Sequence, residues 1–427
     1  MIKKFIRNIF QLLFTAIFFP LKYLIKKGRV VVLSGPNKYL YSDNCRYLYE
    51  YLSTDKSLRV YWYTDSIDVK EYLKSKGCLY ISLSNPLKLI VILLQTRVIF
   101  NSGDSYINLF GIIDNSSVHK ICLTHGIGPK FESMACDQYW GKHIKQTHRF
   151  DYINFPSSYA VKQIGLKLYK LPKDKIVSLG YPRCDQFYDS ESIHQSFKQK
   201  NYIKSTLNCD FDLESKFILY TPTWRPYKYN FPILNMDGFE FTKFNDWLKS
   251  KNMYFLSTFH LNEMSDEEVE KIKQKSEIYI DENKVIKNNI SIKEINNKFE
   301  RIKMIDKNYQ NLFDVNKLMI EIDILLNDYS TTSVDISILN KPQIFFLPDS
   351  DIYSKNQDFM ENYRNIIPGS EITNYTEFIN QLDDIIKNKS KYISKYKSRS
   401  ESLLDKYLYK KPTCSSRNIS NFIQALL

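Results

Sequence analysis

The chain has 427 residues, 43% hydrophobic and 25% charged, which is enough apolar material for two or three packed domains and too much for a disordered chain. Sixty basic against 47 acidic residues leave a formal charge of +13, and only 12 residues are glycine. An anionic partner is implied, and collagen-like or glycine-rich low-complexity architectures are excluded. Eight basic residues (Lys3, Lys4, Arg7, Lys22, Lys26, Lys27, Arg29 and Lys38) precede the first acid, Asp43. A second basic cluster runs from Lys387 to Arg399, and the middle is close to neutral. A nucleic-acid face would spread charge over a folded surface among aromatics, so no nucleic-acid partner is expected. The seven cysteines are widely spaced with no C-x-x-C pair, which predicts reduced thiols and no metal site.

Residues 5–25 read FIRNIFQLLFTAIFFPLKYLI. The uncharged run from Asn8 to Leu21 is too short for the ~20 apolar residues of a membrane span and lacks a small-residue cleavage site. With basic residues at both ends it predicts, over 1–28, an amphipathic helix lying on an anionic membrane surface, peripheral to the cytoplasmic face.

From Arg29 short apolar runs alternate with helical stretches. Val30–Leu33, Arg59–Tyr63, Leu79–Ser82, Arg97–Asn101 and Lys120–Thr124 read as strands; Asp43–Leu52 and Leu87–Leu94 read as helices. A second set follows: Phe217–Tyr220, Met253–Ser257, Ile278–Ile280, Ile324–Leu326 and Gln343–Phe346. The polar stretch Asp189–Glu214 separates the sets, and 281–307 reads as an Asn/Lys-rich insertion loop. The pattern predicts an α/β protein with two Rossmann-like domains, 29–205 and 206–427, facing each other across a cleft. The last helices of the second domain are candidates for packing back on the first. Ligands in such sheets bind beyond the carboxyl ends of strands.

Four polar segments sit at those ends. In His125-Gly126-Ile127-Gly128-Pro129-Lys130 the glycines allow close backbone approach, the histidine exchanges a proton near neutrality and the lysine pairs with phosphate. Gly180-Tyr181-Pro182-Arg183-Cys184-Asp185 offers a guanidinium fork, either for an anion or for a local Arg–Asp pair. Tyr220-Thr221-Pro222-Thr223-Trp224-Arg225 ends a strand in a proline turn. Asp328-Tyr329-Ser330-Thr331 enters a helix carrying Asp335, where free N–H groups and hydroxyls suit a phosphate or act as simple caps. His260 again follows a strand. No G-x-G-x-x-G follows the first strand, which excludes a nicotinamide enzyme and leaves no cofactor expected.

Taken in order, H-G-x-G-x-K at His125, G-Y-P-R-x-D at Gly180, Y-x-P-T-W-R at Tyr220, the strand-final His260 and D-Y-S-T-x-S-x-D at Asp328 resemble the CDP-glycerol glycerophosphotransferase family, the teichoic acid primases and polymerases. Asp43-Asn44 before the first helix is a shorter echo. The resemblance implies a GT-B-like fold, a CDP-glycerol or similar CDP-polyol donor, a lipid-linked acceptor and no metal in catalysis. It makes His125 the general base and His260 a second essential histidine near the donor diphosphate. Arg183, Pro222, Thr223, Trp224 and Arg225 would line the donor site, with Gly126, Gly128 and Lys130 beside the base. Ser330 and Thr331 would hold the diphosphate, and Asp335 would lie near the nucleotide. Thr124 stands where the family often has Trp, Thr258 where it often has Arg, and Tyr363-Arg364-Asn365 matches its later R-G-x-Y stretch poorly. The alternatives are a nucleotide-sugar glycosyltransferase of the same fold and a non-catalytic membrane-bound partner of a polysaccharide assembly complex.

Overall fold

The computed structural model describes residues 28–36, 39–102, 118–129, 147–208, 210–223, 232–258, 292–305, 311–356, 359, 361–408 and 414–427. The expected amphipathic helix, the expected strand Ile278–Ile280, and Lys130, Trp224, Arg225 and His260 lie outside these residues. No helix among the described residues is long and apolar enough to cross a membrane.

Two sheets, parallel throughout their described pairings, form the frame. The first contains β1 (Val30–Ser34), β2 (Arg59–Tyr63), β3 (Tyr80–Ile81), β4 (Thr96–Asn101), β5 (His119–Cys122), β6 (Tyr152–Asn154) and β7 (Ile176–Val177), in spatial order 3-2-1-4-5-6-7. The second contains β8 (Lys216–Thr221), β9 (Met253–Ser257), β10 (Ile302–Met304), β11 (Ile324–Asn327), β12 (Gln343–Phe346) and β13 (Ser370–Ile372), in order 10-9-8-11-12-13. Both begin with the same winding, in which strand order reverses beside the first strand. The reversals fall at β1/β4 and β8/β11, and each opens a crevice at the strands' carboxyl ends.

Helices cover both faces of each sheet, so the strands are continuous apolar runs such as Val30-Val31-Val32-Leu33 and Phe217-Ile218-Leu219-Tyr220, all buried. Side chains alternate between faces: Val30 and Val32 pack with Leu89 and Leu93, whereas Val31 and Leu33 pack with Leu48 and Leu52 of helix α1 (Asp43–Leu52). Ile419 and Ile423 of the C-terminal helix Ser415–Gln424 join this second face. Asp185 fastens that helix by accepting from the Ser415 and Ser416 amides at 2.7 and 2.8 Å, satisfying two orphan donors of its first turn.

Two details differ from the sequence reading. Helix Ser190–Gln199 and most of helix Asn201–Leu207, assigned there to the first domain, pack on elements of the second. Ile203 is buried in one cluster with Phe217, and Glu321 accepts from the Tyr202 and Ile203 amides. The polar stretch is therefore a surface helix pair, and the crossing comes earlier, near Pro182–Tyr188. Within 281–307, Ile302–Met304 is edge strand β10, paired with β9, and not loop. Its three residues, with Lys303 in the middle, are too short to register as a run.

Candidate active site

The turn after β5 brings His125 into the cleft. Thr124, just before it, has φ +55°, a left-handed conformation costing a β-branched residue roughly 1–2 kcal/mol. A buried polar knot offsets this cost. Thr124 Oγ1 lies 3.0 Å from the Asn154 carbonyl and 2.8 Å from the Tyr181 hydroxyl, and Asn44 Nδ2 donates to the Thr124 carbonyl at 3.1 Å. This bend projects the His125 side chain outward, 61% exposed, with Nδ1 2.5 Å from Asp43 Oδ2.

Asp43 opens α1 beyond the end of β1 and is itself buried, with φ +64°. Burial pushes its carboxyl up, but His125 and Arg183 beside it outweigh burial and hold it below the usual carboxylate range. Its other oxygen accepts from Arg183 Nη1 at 2.8 Å.

Arg183 is 4% exposed. It donates from Nε and Nη2 to the two oxygens of Asp335 at 3.0 and 3.3 Å, and also meets the His125 carbonyl. Its guanidinium stands over the Tyr181 ring, 4.6 Å from the centroid. Burial alone would weaken its charge; Asp335 and Asp43 more than reverse that. The local Arg–Asp alternative of the sequence reading thus has distant partners: Asp185 caps a helix, while Arg183 ties the first domain to Asp335 of the second.

The opposite wall comes from the second sheet's reversal point. Asp328, fully buried after β11, accepts from the Thr223 amide at 3.0 Å, the Thr223 hydroxyl at 2.6 Å and the Tyr329 amide at 2.6 Å. This draws Pro222-Thr223, after β8, against the Ser330-Thr331 turn. Thr332 Oγ1 lies 3.0 Å from Thr221 Oγ1 and donates to Ser330 Oγ at 3.0 Å. Helix α2 (Thr332–Ser337) then carries Asp335 inward. The glycines of the His125 loop meet this wall directly. A Cβ on Gly126 would lie 3.0 Å from Thr331 Oγ1, and one on Gly128 would lie 2.7 Å from Thr331 Cγ2. Their missing side chains let the two domains touch.

His125, Gly126, Gly128, Arg183, Pro222, Thr223, Ser330, Thr331 and Asp335 are therefore gathered around one cleft. Asp43, Thr124, Tyr181 and Asp328 belong to the same constellation and were not assigned from sequence as site residues. For Asp43 the signal was present, since a polar Asp-Asn pair stands where the strand at the reversal point gives way to a helix.

The family model described as CDP-Glycerol:Poly(glycerophosphate) glycerophosphotransferase matches residues 16–424. The chain belongs to this family. This glycerophosphotransferase-family chain is 24% identical over 441 residues to the teichoic acid glycerol-phosphate primase of Bacillus subtilis (strain 168), covering 100% of this chain and 99% of that protein. It is 22% identical to the teichoic acid poly(ribitol-phosphate) polymerase of Bacillus spizizenii, over 86% of this chain and 52% of the polymerase. The solved wall teichoic acid polymerase TagF superposes with a TM-score of 0.67 at 20% identity, covering 100% of this chain and 98% of that one. A UDP-GlcNAc 2-epimerase from Neisseria meningitidis, bound to UDP-GlcNAc, superposes with a TM-score of 0.54 at 13% identity, over 93% and 99% of the two chains. At these identities the superpositions establish the GT-B-like fold, and the family match establishes a transferase.

Proposed function

We propose that the chain transfers glycerol phosphate, or a related polyol phosphate, from a CDP-linked donor to a lipid-linked acceptor in teichoic-acid-type polymer synthesis. The observation that carries this reading is the His125–Asp43 contact of 2.5 Å, set across the cleft from the Ser330–Thr331 turn. A hydroxyl is a weak nucleophile, and a positioned base is typically worth about 10²–10⁴ in rate. The acceptor oxygen bonds to the phosphorus distal to cytidine, its proton passes to His125, and the bond from that phosphorus to the bridging oxygen breaks to release CMP. The hydroxyls of Ser330, Thr331 and Thr223 and the Pro222 turn support a donor site on the second domain. Gly126 and Gly128 shape the wall beside the base. Lys130, Trp224, Arg225 and His260 keep the roles implied by the family resemblance. Arg183 and Asp335 act here through each other and through Asp43, as an internal tie.

A lipid-linked acceptor calls for a membrane-facing rim, and the first domain has a suitable surface. Helix Pro86–Gln95 exposes Leu87 (76%) and Val91 one turn apart, and Leu83 just before the helix is exposed as well. The Leu83 amide donates to Asp65 Oδ1 at 3.0 Å, joining the turn before this helix to the segment that follows β2. No acidic residue occurs between Glu71 and Asp104, a stretch that contains Lys74, Lys76, Lys88 and Arg97. The exposed Leu87–Val91 pair within a basic stretch free of acids supports peripheral attachment to an anionic cytoplasmic leaflet.

The test is CMP release from CDP-glycerol and CDP-ribitol, with a lipid-linked acceptor, by the wild type and His125→Ala. Release that requires both acceptor and His125 is expected. Turnover of a UDP-sugar, with no CMP from either CDP donor, would replace this reading with glycosyl transfer.

A further inference from the structure

Asp43 combines three properties seldom found together. It is 6% exposed, its φ of +64° lies in the left-handed region, and its two oxygens serve different partners. Oδ2 meets His125 Nδ1 at 2.5 Å, while Oδ1 accepts from Arg183 at 2.8 Å. A strained non-glycine backbone persists only where its surroundings over-determine it. Here they do. The next residue, Asn44, donates to the Thr124 carbonyl and accepts from the Arg183 amide at 3.3 Å, so both neighbours of the dyad are bolted to the same residue. Arg183 crosses to the second domain with a two-pronged grip on Asp335, which α2 places within one turn of Thr331.

We propose that Asp43 is the positioning residue of the His125 base, and that Arg183 and Asp335 transmit the seating of the second domain to it. This rests on His125 acting as the base of the reaction above. A carboxylate can only accept at Nδ1, so the Asp43 contact fixes the proton there and presents Nε2 to the acceptor hydroxyl. As that hydroxyl's oxygen bonds to phosphorus and CMP departs, its proton goes to Nε2. The resulting imidazolium then stands against the Asp43 carboxylate. Arg183 holds Asp43 Oδ1 in place. Because Arg183 Nε and Nη2 are held by Asp335 of α2, a second domain displaced from the cleft frees that end of the guanidinium and loosens its hold on Asp43. The titratable groups facing this chain are Asp43 from α1, Arg183, Tyr181 and Cys184 around Pro182–Tyr188, and Asp335 from α2, with Cys184 Sγ 3.7 Å from Asp335 Oδ1.

The experiment is steady-state CMP release against pH by the full chain as wild type, Asp43→Asn, Asp335→Asn, the double variant and His125→Ala. Asp43→Asn is expected to lower kcat by about 10²-fold or more and to change KM for CDP-glycerol by no more than about twofold. It should also move the acid limb of kcat/KM down by about one pH unit, because the imidazolium loses its counter-charge. Asp335→Asn should lower kcat by about tenfold, and the double variant should be no worse than Asp43→Asn alone, since both act through Arg183. A wild-type kcat in Asp43→Asn, an unmoved pH profile, or multiplying effects in the double variant would overturn the proposal. If Asp43→Asn does not fold, Asp335→Asn is read in its place, and a wild-type kcat there overturns the relay. Failure of the function itself looks different: the wild type releases no CMP. The His125 imidazole titration, followed by NMR in wild type and Asp43→Asn, then decides, and an unchanged midpoint overturns the positioning role.

Discussion

The two walls of the cleft solve the same structural problem with different chemistry. On the first domain, His125 is held by charge and strain: a buried carboxylate, a buried guanidinium and two residues, Asp43 and Thr124, in left-handed backbone. On the second, Pro222-Thr223 and Ser330-Thr331 are held by neutral hydroxyls and amides around one buried carboxylate, Asp328. An ionic wall fixes the direction of a proton-accepting nitrogen, whereas a hydroxyl-lined wall suits a ligand that brings its own negative charge. The difference teaches that the buried carboxylate is paired with charged partners where a proton is handled, and surrounded by hydroxyl and amide donors where an anion is to be received.

His125→Ala breaks the ionic wall at its reactive end. We expect a loss of about 10²–10⁴ in CMP release with a small fall in the unfolding midpoint, because buried Asp43 loses the imidazole but keeps Arg183. Retained activity with both CDP donors would remove the base from the mechanism. Asp328→Ala breaks the opposite wall and strands the Thr223 and Tyr329 donors in a buried site. Its cost should be roughly 3 kcal/mol in urea unfolding, and a change below the error of the fit would mean that other contacts hold the turn.

Where the walls touch, Gly128→Ala places a methyl against Thr331 Cγ2. It should destabilise by about 1–3 kcal/mol and weaken donor binding. Thr331→Ser removes that Cγ2 and should restore most of the loss in the double variant. Purely additive effects would show that the domains do not close on this contact.

The smallest expected effect separates the walls by pH. Asp43 titrates below its ordinary range in the folded chain because His125 and Arg183 outweigh its burial. Its contribution to stability is thus complete above the unfolded carboxylate value of about 4 and is lost as pH falls through the lower folded value. Asp43→Asn should accordingly flatten the acid side of the stability–pH curve. An unchanged acid side would place the acid sensitivity elsewhere.

Local pattern made much of the architecture legible. Asp43–Leu52, Arg59–Tyr63, Met253–Ser257 and Gln343–Phe346 have the same bounds in the sequence reading and in the structure, because each is a strong periodic or apolar run. Strands β6, β10 and β13 have three residues each, too few to carry a period, and only their neighbours in the sheet make them strands. Asp328 read as part of a polar turn motif; its burial beneath Thr223 depends on β8 lying beside β11.

The sequence by itself determined two sets of strands, the polar turns at their carboxyl ends and the residue types a phosphotransfer site requires, since these depend on neighbours along the chain. Only the tertiary structure decided that Arg183 grips Asp335, 152 residues away, that Asp43 turns back to His125, and that Gly126 and Gly128 are the ground on which Thr331 rests. Those pairings follow from how two independently wound sheets dock, and docking is fixed by the shape and charge of surfaces that no local stretch of sequence contains.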